Sequence, residues 1–246
     1  MSDINQNNPD AWVRRQNILV ILAHPDDPEF FCGATLARWA RAGHAITYYL
    51  VTCGDKGSSD RDISPDTLCR IRHEEEAAAA KIIGAQAVYF LDLPDGYLVP
   101  DIDLRRKMTR IIRQMKPDIL VTCDPQNLFP NTTYGMNHSD HRAVGQSVLD
   151  AVFPAAGNPL YFPELLKEEN LEPHKIGEVW ISLTSQPNVT LDVTDTWDIK
   201  ILALKEHKSQ IGDPEKLIER MKARRTEDST DEAPHYEERF RRIIFN

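Results

Sequence analysis

Two short stretches gather the side chains that could do chemistry. The run I-L-V-I-L-A-H-P-D-D-P-E-F-F (18–31) passes abruptly from apolar residues to His24, Asp26 and Asp27, with Pro25 and Pro28 fixing the backbone around them. The run G-M-N-H-S-D-H (135–141) supplies His138, Asp140 and His141. Adjacent carboxylates repel, so the Asp26–Asp27 pair costs stability unless a cation sits beside it. Histidine and aspartate together form a three-ligand set for a catalytic Zn2+ with its fourth position open to water. His24 and Asp27, three apart, can both be aimed inward, which leaves Asp26 free to take a proton from a water whose pKa the metal lowers to about 7. Each motif alone has a structural reading, a capped turn for His-Pro-Asp-Asp and a surface pair for His138 and His141. Both at one sheet edge outweigh that reading.

The elements around these motifs decide whether they share an edge. Residues 17–23 are a continuous apolar run of the kind that forms a strand buried on both faces. Helix is expected over 31–42, ended by Gly43, strand over 45–52, helix over 65–83, ended by Gly84, and strand over 87–91. A helix over 103–115, a strand over 118–122 and a helix over 141–153 follow. The tail reads as a strand over 178–183, a helix around 195–207 and a helix from Asp213-Pro214. This alternation specifies an α/β fold, a Rossmann-like and mostly parallel sheet with helices on both faces, in a single domain over 17–246 after a flexible polar arm over 1–16. Ligands of such sheets bind beyond the carboxyl ends of the strands, where both motifs fall.

Composition narrows the function classes. A formal net charge of −9 over 246 residues argues against a nucleic-acid partner. No apolar run is long enough to suggest a membrane span, and residues 1–16 lack the apolar core of a signal peptide. Cys32, Cys53, Cys69 and Cys123 form no C-x-x-C pair and read as small buried apolar residues in a reducing compartment, so the expected location is cytoplasmic. The three N-x-S/T matches at Asn131, Asn137 and Asn188 then count as chance. The absence of G-x-G-x-x-G after the first strand and of G-x-S-x-G disfavours a dinucleotide enzyme and an α/β-hydrolase esterase.

The two motifs resemble those of the LmbE-like, or PIG-L, family of zinc N-deacetylases. Further matches are I-R-H-E-E-E-A-A-A-A-K-I-I-G (71–84), L-D-L-P-D-G (91–96), K-P-D-I-L-V (116–121) and K-I-L-A-L-K-E-H-K-S-Q (200–210). The resemblance implies that His24, Asp27 and His141 bind zinc and that Asp26 is the general base. It further implies that His138 stabilises the oxyanion, oriented by Asp140, and that Arg72 faces the substrate. Ser139 departs from the proline usual between His138 and Asp140. The substrate implied is a small N-acetylated sugar of the GlcNAc type, with acetate released. The leaving amine takes its proton from Asp26 or from His138. A catalytically silent sugar-binding protein and a zinc amidase for a non-sugar amide are the alternatives. Homo-oligomers are frequent among such proteins, but no sequence feature sets a subunit number.

Other residues carry weaker expectations. Asp55, after the second strand, reads either as an acceptor for sugar hydroxyls or as a support for a metal-bound histidine. Asp95 reads mainly as turn chemistry, Glu74 to Glu76 as a solvated helix face, and His207 as a helix-surface residue outside the core site. The loop from Pro125 to Met136 suits one wall of a sugar pocket.

Overall fold

The structure is a computed structural model describing residues 9–130 and 135–245. β1 (Asn17–Leu22), β2 (Ala45–Thr52), β3 (Ala87–Leu93), β4 (Ile119–Cys123) and β5 (Glu178–Ser182) are joined by parallel pairings. The seven-stranded order is β3-β2-β1-β4-β5-β7-β6, where β6 is Val189–Asp192 and β7 is Glu237–Ile244. β7 runs antiparallel to both β5 and β6. The sequence reading missed these last two strands. β6 is only four residues long, and β7 (EERFRRII) carries five charged residues, among them the buried Glu238 paired with Lys200, so it shows no apolar alternation.

The helices divide between the two faces, and the pleat of β1 shows why. Ile18, Val20 and Leu22 pack into one core with α1 (Asp27–Arg41), α2 (Pro65–Ile83), α6 (Trp197–Leu204) and α7 (Pro214–Lys222). Leu19, Ile21 and Ala23 pack into the other with α3 (Ile102–Met115) and α4 (Ser139–Asp150). A short α5 (Pro163–Lys167) completes the set.

Three expectations need correction. α1 begins at Asp27, four residues earlier than read, because Pro28 suits a first helical turn and the helix continues across a kink at Cys32. Residues 9–16 are not a loose arm: Asp10 accepts hydrogen bonds from Trp39 Nε1 (2.9 Å) and Arg38 Nε (2.8 Å), and the Trp12 ring packs on Trp39 and Trp180. Residues 1–8 of that arm lie outside the described residues. The four cysteines are not all free: Cys53 and Cys69 form a disulfide with Cα atoms 5.1 Å apart, while Cys32 and Cys123 are buried thiols. A pairing between a strand end and a helix is invisible in linear spacing, and it removes the argument from cysteines for a reducing compartment. No helix among the described residues is long and apolar enough to cross a membrane.

Candidate metal centre and active site

β1 and β4 are hydrogen-bonded neighbours whose chains depart to opposite sides, β1 towards β2 and β4 towards β5. Their carboxyl ends therefore open a crevice at the switch point of the sheet. His24 to Asp27 lead from β1 into α1, and His138 to His141 open α4. α4 can approach the end of β4 because residue 145 is glycine: a Cβ there would stand 2.3 Å from the carbonyl oxygen of Cys123. That close approach carries His141 to His24.

Three side chains bring candidate ligand atoms together in the crevice. His24 Nδ1 lies 3.2 Å from His141 Nε2 and 3.5 Å from Asp27 Oδ2, and His141 Nε2 lies 3.1 Å from Asp27 Oδ1. A tetrahedral metal with N and O ligands near 2.0–2.2 Å has ligand–ligand edges of about 3.3 Å, so the donor set fits one face of such a site. Each histidine is held from its far nitrogen. His141 Nδ1 sits 2.9 Å from Asn137 Oδ1, which accepts its N–H and leaves Nε2 bare for an ion. His24 Nε2 sits 3.0 Å from Asp95 Oδ1 and 3.5 Å from Asp140 Oδ2. Burial alone would lower the His24 pKa, but its hydrogen bonds to Asp140, Asp27 and Asp95 outweigh that and raise it. Burial would likewise raise Asp27, yet His141 and His24 hold its carboxyl far below the ordinary range.

Asp26 stands in the left-handed region (φ 88°), a conformation disfavoured for a side chain. Its backbone N–H donates to Glu76 Oε2 at 2.9 Å, and its Oδ2 lies 3.4 Å from Arg72 Nη2. Burial raises the Asp26 pKa, Arg72 opposes the rise, and Asp27 adds to it. Glu76 belongs to a fully buried cluster with Glu29 and His207, in which His207 Nε2 is 3.2 Å from Glu29 Oε2 and 3.9 Å from Glu76 Oε2. Burial pushes both glutamic acids up.

Hydrogen bonds place the other expected site residues. Arg72 is 3% exposed, and its guanidinium donates to the carbonyls of Gly54 (3.1 Å) and Pro25 (2.6 Å), bracing the turn that carries Asp26. Gly54 is obligatory there, since its φ is +68° and a Cβ would meet Arg72 Nη1 at 1.9 Å. The Asp140 carboxylate lies within 4.8 Å of a His138 ring nitrogen, but its hydrogen bonds go elsewhere. It accepts from the N–H groups of Gly96 (2.7 Å) and Leu98 (3.3 Å) and lies near His24, while the Asp140 amide donates to His138 Nδ1 at 3.2 Å. Burial and then the neighbouring His24 and His141 lower the pKa of His138, which favours a neutral ring with its proton on Nε2. Asp55 does not hold His24 directly; its Oδ1 accepts from the Asp95 amide (2.9 Å), fixing the loop that does.

Sequence reasoning missed Asp95, Asn137, Glu76, Glu29 and His207. The first two sit beside His24 and His141 in loops that short-range turn chemistry also explains. The last three come from α1, α2 and the turn after α6, so nothing local announces that they meet. Of the loop from Pro125 to Met136, residues 131–134 lie outside the described residues.

Comparison with known proteins shows the family. The family described as PIG-L, GlcNAc-PI de-N-acetylase, matches residues 19–152. A diacetylchitobiose deacetylase of Thermococcus kodakarensis is 31% identical over 208 residues, covering 85% of this chain and 74% of its own. A probable N-acetyl-α-D-glucosaminyl L-malate deacetylase 2 of Bacillus cereus is 26% identical over 205 residues, covering 79% and 84%. The solved structure of N,N'-diacetylchitobiose deacetylase from Pyrococcus horikoshii in complex with its inhibitor MPG superposes with a TM-score of 0.84 at 26% identity, covering 98% of this chain and 87% of that one. With the profile spanning more than half of its length, and both its motifs at the switch point of the sheet, this chain belongs to the PIG-L family of N-deacetylases.

Proposed function

We propose that this protein hydrolyses the acetamide of a GlcNAc-type sugar conjugate, releasing acetate, with His24, Asp27 and His141 holding Zn2+. The observation that carries the reading is the convergence of His24 Nδ1, His141 Nε2 and the two carboxylate oxygens of Asp27 at separations of 3.1–3.5 Å, beside the carboxylate of Asp26 and the ring of His138. When bound, the ion would polarise the amide carbonyl and make a water acidic enough to attack near neutral pH.

The residues divide the remaining work. Asp26 accepts the proton of the attacking water, and its raised pKa brings it nearer the working range of a base that must later give that proton back. His138, with Nδ1 occupied by the Asp140 amide, presents Nε2–H to the oxygen that becomes negative in the tetrahedral intermediate. A neutral His138 is a donor for the oxyanion and a poor acid for the amine, so Asp26 delivers the proton to the departing nitrogen. Arg72 and Glu76 fix the turn on which Asp26 rides.

The test is acetate release from a panel of N-acetylglucosamine derivatives, diacetylchitobiose and inositol and malate conjugates included, by zinc-loaded protein against a chelated control. Turnover that vanishes with the chelator and in Asp26→Asn is expected. Silence across the panel with zinc bound would overturn the sugar reading, and full activity in Asp26→Asn would overturn the assigned base.

A further inference from the structure

We propose that Cys53, Cys69, His73 and Asp92 form a second metal site, for a divalent cation of the zinc class, which becomes available when the Cys53–Cys69 disulfide is reduced. None of these four residues belongs to the His24–Asp27–His141 group. Cys53 directly follows β2, Cys69 and His73 are one turn apart on α2, and Asp92 is in β3. Their ligand atoms all lie within 4.8 Å of one another. The proposal does not depend on the deacetylase reading.

A disulfide needs only its two cysteines, and it leaves the rest of the cluster without a role. The His73 ring is stacked on Phe90 with centroids 3.8 Å apart, which fixes its plane. Its Nε2 points at the sulfur of Cys69 (3.7 Å) and at Asp92 Oδ1 (2.8 Å), while Cys69 Sγ and Asp92 Oδ1 are 3.9 Å apart. Tetrahedral zinc, with Zn–S near 2.3 Å and Zn–N or Zn–O near 2.0–2.2 Å, needs ligand edges of about 3.3–3.8 Å. Two of the three edges already match closely, and the short His73–Asp92 edge can widen because the Asp92 side chain is half exposed. Two Cys with His and Asp make a borderline-soft donor set, suited to zinc and unsuited to magnesium or calcium.

Reduction and loading balance as follows. Two molecules of a small thiol give two electrons and two protons to the disulfide, leaving Cys53–SH, Cys69–SH and the small-molecule disulfide. The cation then displaces both thiol protons to solvent as two metal–sulfur bonds form. The site and the disulfide exclude each other, but each ties the end of β2 to α2 one turn before Arg72.

Cobalt(II) provides the test, because sulfur-to-cobalt charge transfer absorbs in the near ultraviolet and the His24–Asp27–His141 centre contains no sulfur. Thiol-reduced full-length protein titrated with Co2+ should develop this band to one equivalent. The oxidised protein and Cys69→Ser should lack it, and His73→Ala and Asp92→Ala should bind about tenfold or more weakly. Asp92→Ala removes an exposed group, so it keeps the test available should Cys69→Ser fail to fold. Reduced protein with unchanged far-ultraviolet circular dichroism and two newly titratable thiols but no band would overturn the proposal. So would a band that His73→Ala and Asp92→Ala form with unchanged affinity.

Discussion

Asp27→Ala should destabilise the protein even when no metal is present. The carboxylate does structural work besides any coordination: Oδ2 accepts from the N–H groups of Ala23 (3.1 Å) and His24 (2.8 Å), and Oδ1 pairs with His141 Nε2 (3.1 Å). Asp27 is 3% exposed, so water cannot replace these bonds freely. Hydrogen bonds to a charged group contribute about 1.5–3 kcal/mol each, and breaking a buried ion pair from one side costs about 3–5 kcal/mol. Because these effects overlap, the expected loss is about 3–5 kcal/mol for the chelated protein, or about 1 M or more in urea midpoint at a slope near 3 kcal/mol/M. Asp27→Asn keeps an acceptor for the two amides and should lose about half as much. Asp27's pKa is held below its unfolded value of about 3.9, so its contribution is present above that pH and lost as pH falls through the folded value. The gap between parent and Asp27→Ala should therefore be full at pH 7 and shrink only in strong acid. Urea unfolding followed by the fluorescence of the four tryptophans measures it. An unchanged midpoint for chelated Asp27→Ala would refute this account of the turn.

Glu76→Ala removes the acceptor behind Asp26's amide and should lower kcat about tenfold or more, a loss near 1.5–2 kcal/mol, with metal still bound; Glu76→Gln should recover much of it. Equal kcat in parent and Glu76→Ala would show that Asp26 holds its strained backbone unaided. Gly145→Ala must push α4 off β4, costing about 1–3 kcal/mol, and should weaken metal affinity more than KM; calorimetric melting and metal titration check both, and unchanged values would contradict the close approach. Metal affinity should fall as pH is lowered through the raised pKa of His24, since a protonated ring cannot ligate, whereas metal-free protein gains stability from the charged ring below its unfolded pKa near 6.5 and loses it as pH rises through the folded value. Metal titrations at several pH values test the first part, and an affinity independent of pH would refute it.

The linear sequence by itself determined the alternation of elements and which side chains make up the candidate site. The apolar run at 18–23, the terminators Gly43 and Gly84 and the prolines at 65 and 214 act within a few residues, so they are legible without a fold. His24, Asp26, Asp27, His138 and His141 were legible because two dense motifs must share an edge once the sheet is parallel. Tertiary structure alone decided what stands behind them. Asp95 beside His24, Glu76 beneath Asp26 and Arg72 turned inward onto Gly54 and Pro25 are contacts across 71, 50 and up to 47 residues of chain. The Cys53–Cys69 link joins a strand end to a helix across 16 residues. Such partners are selected by burial: a polar group taken out of water requires a bond, and only the packed chain determines which distant group is there to make it.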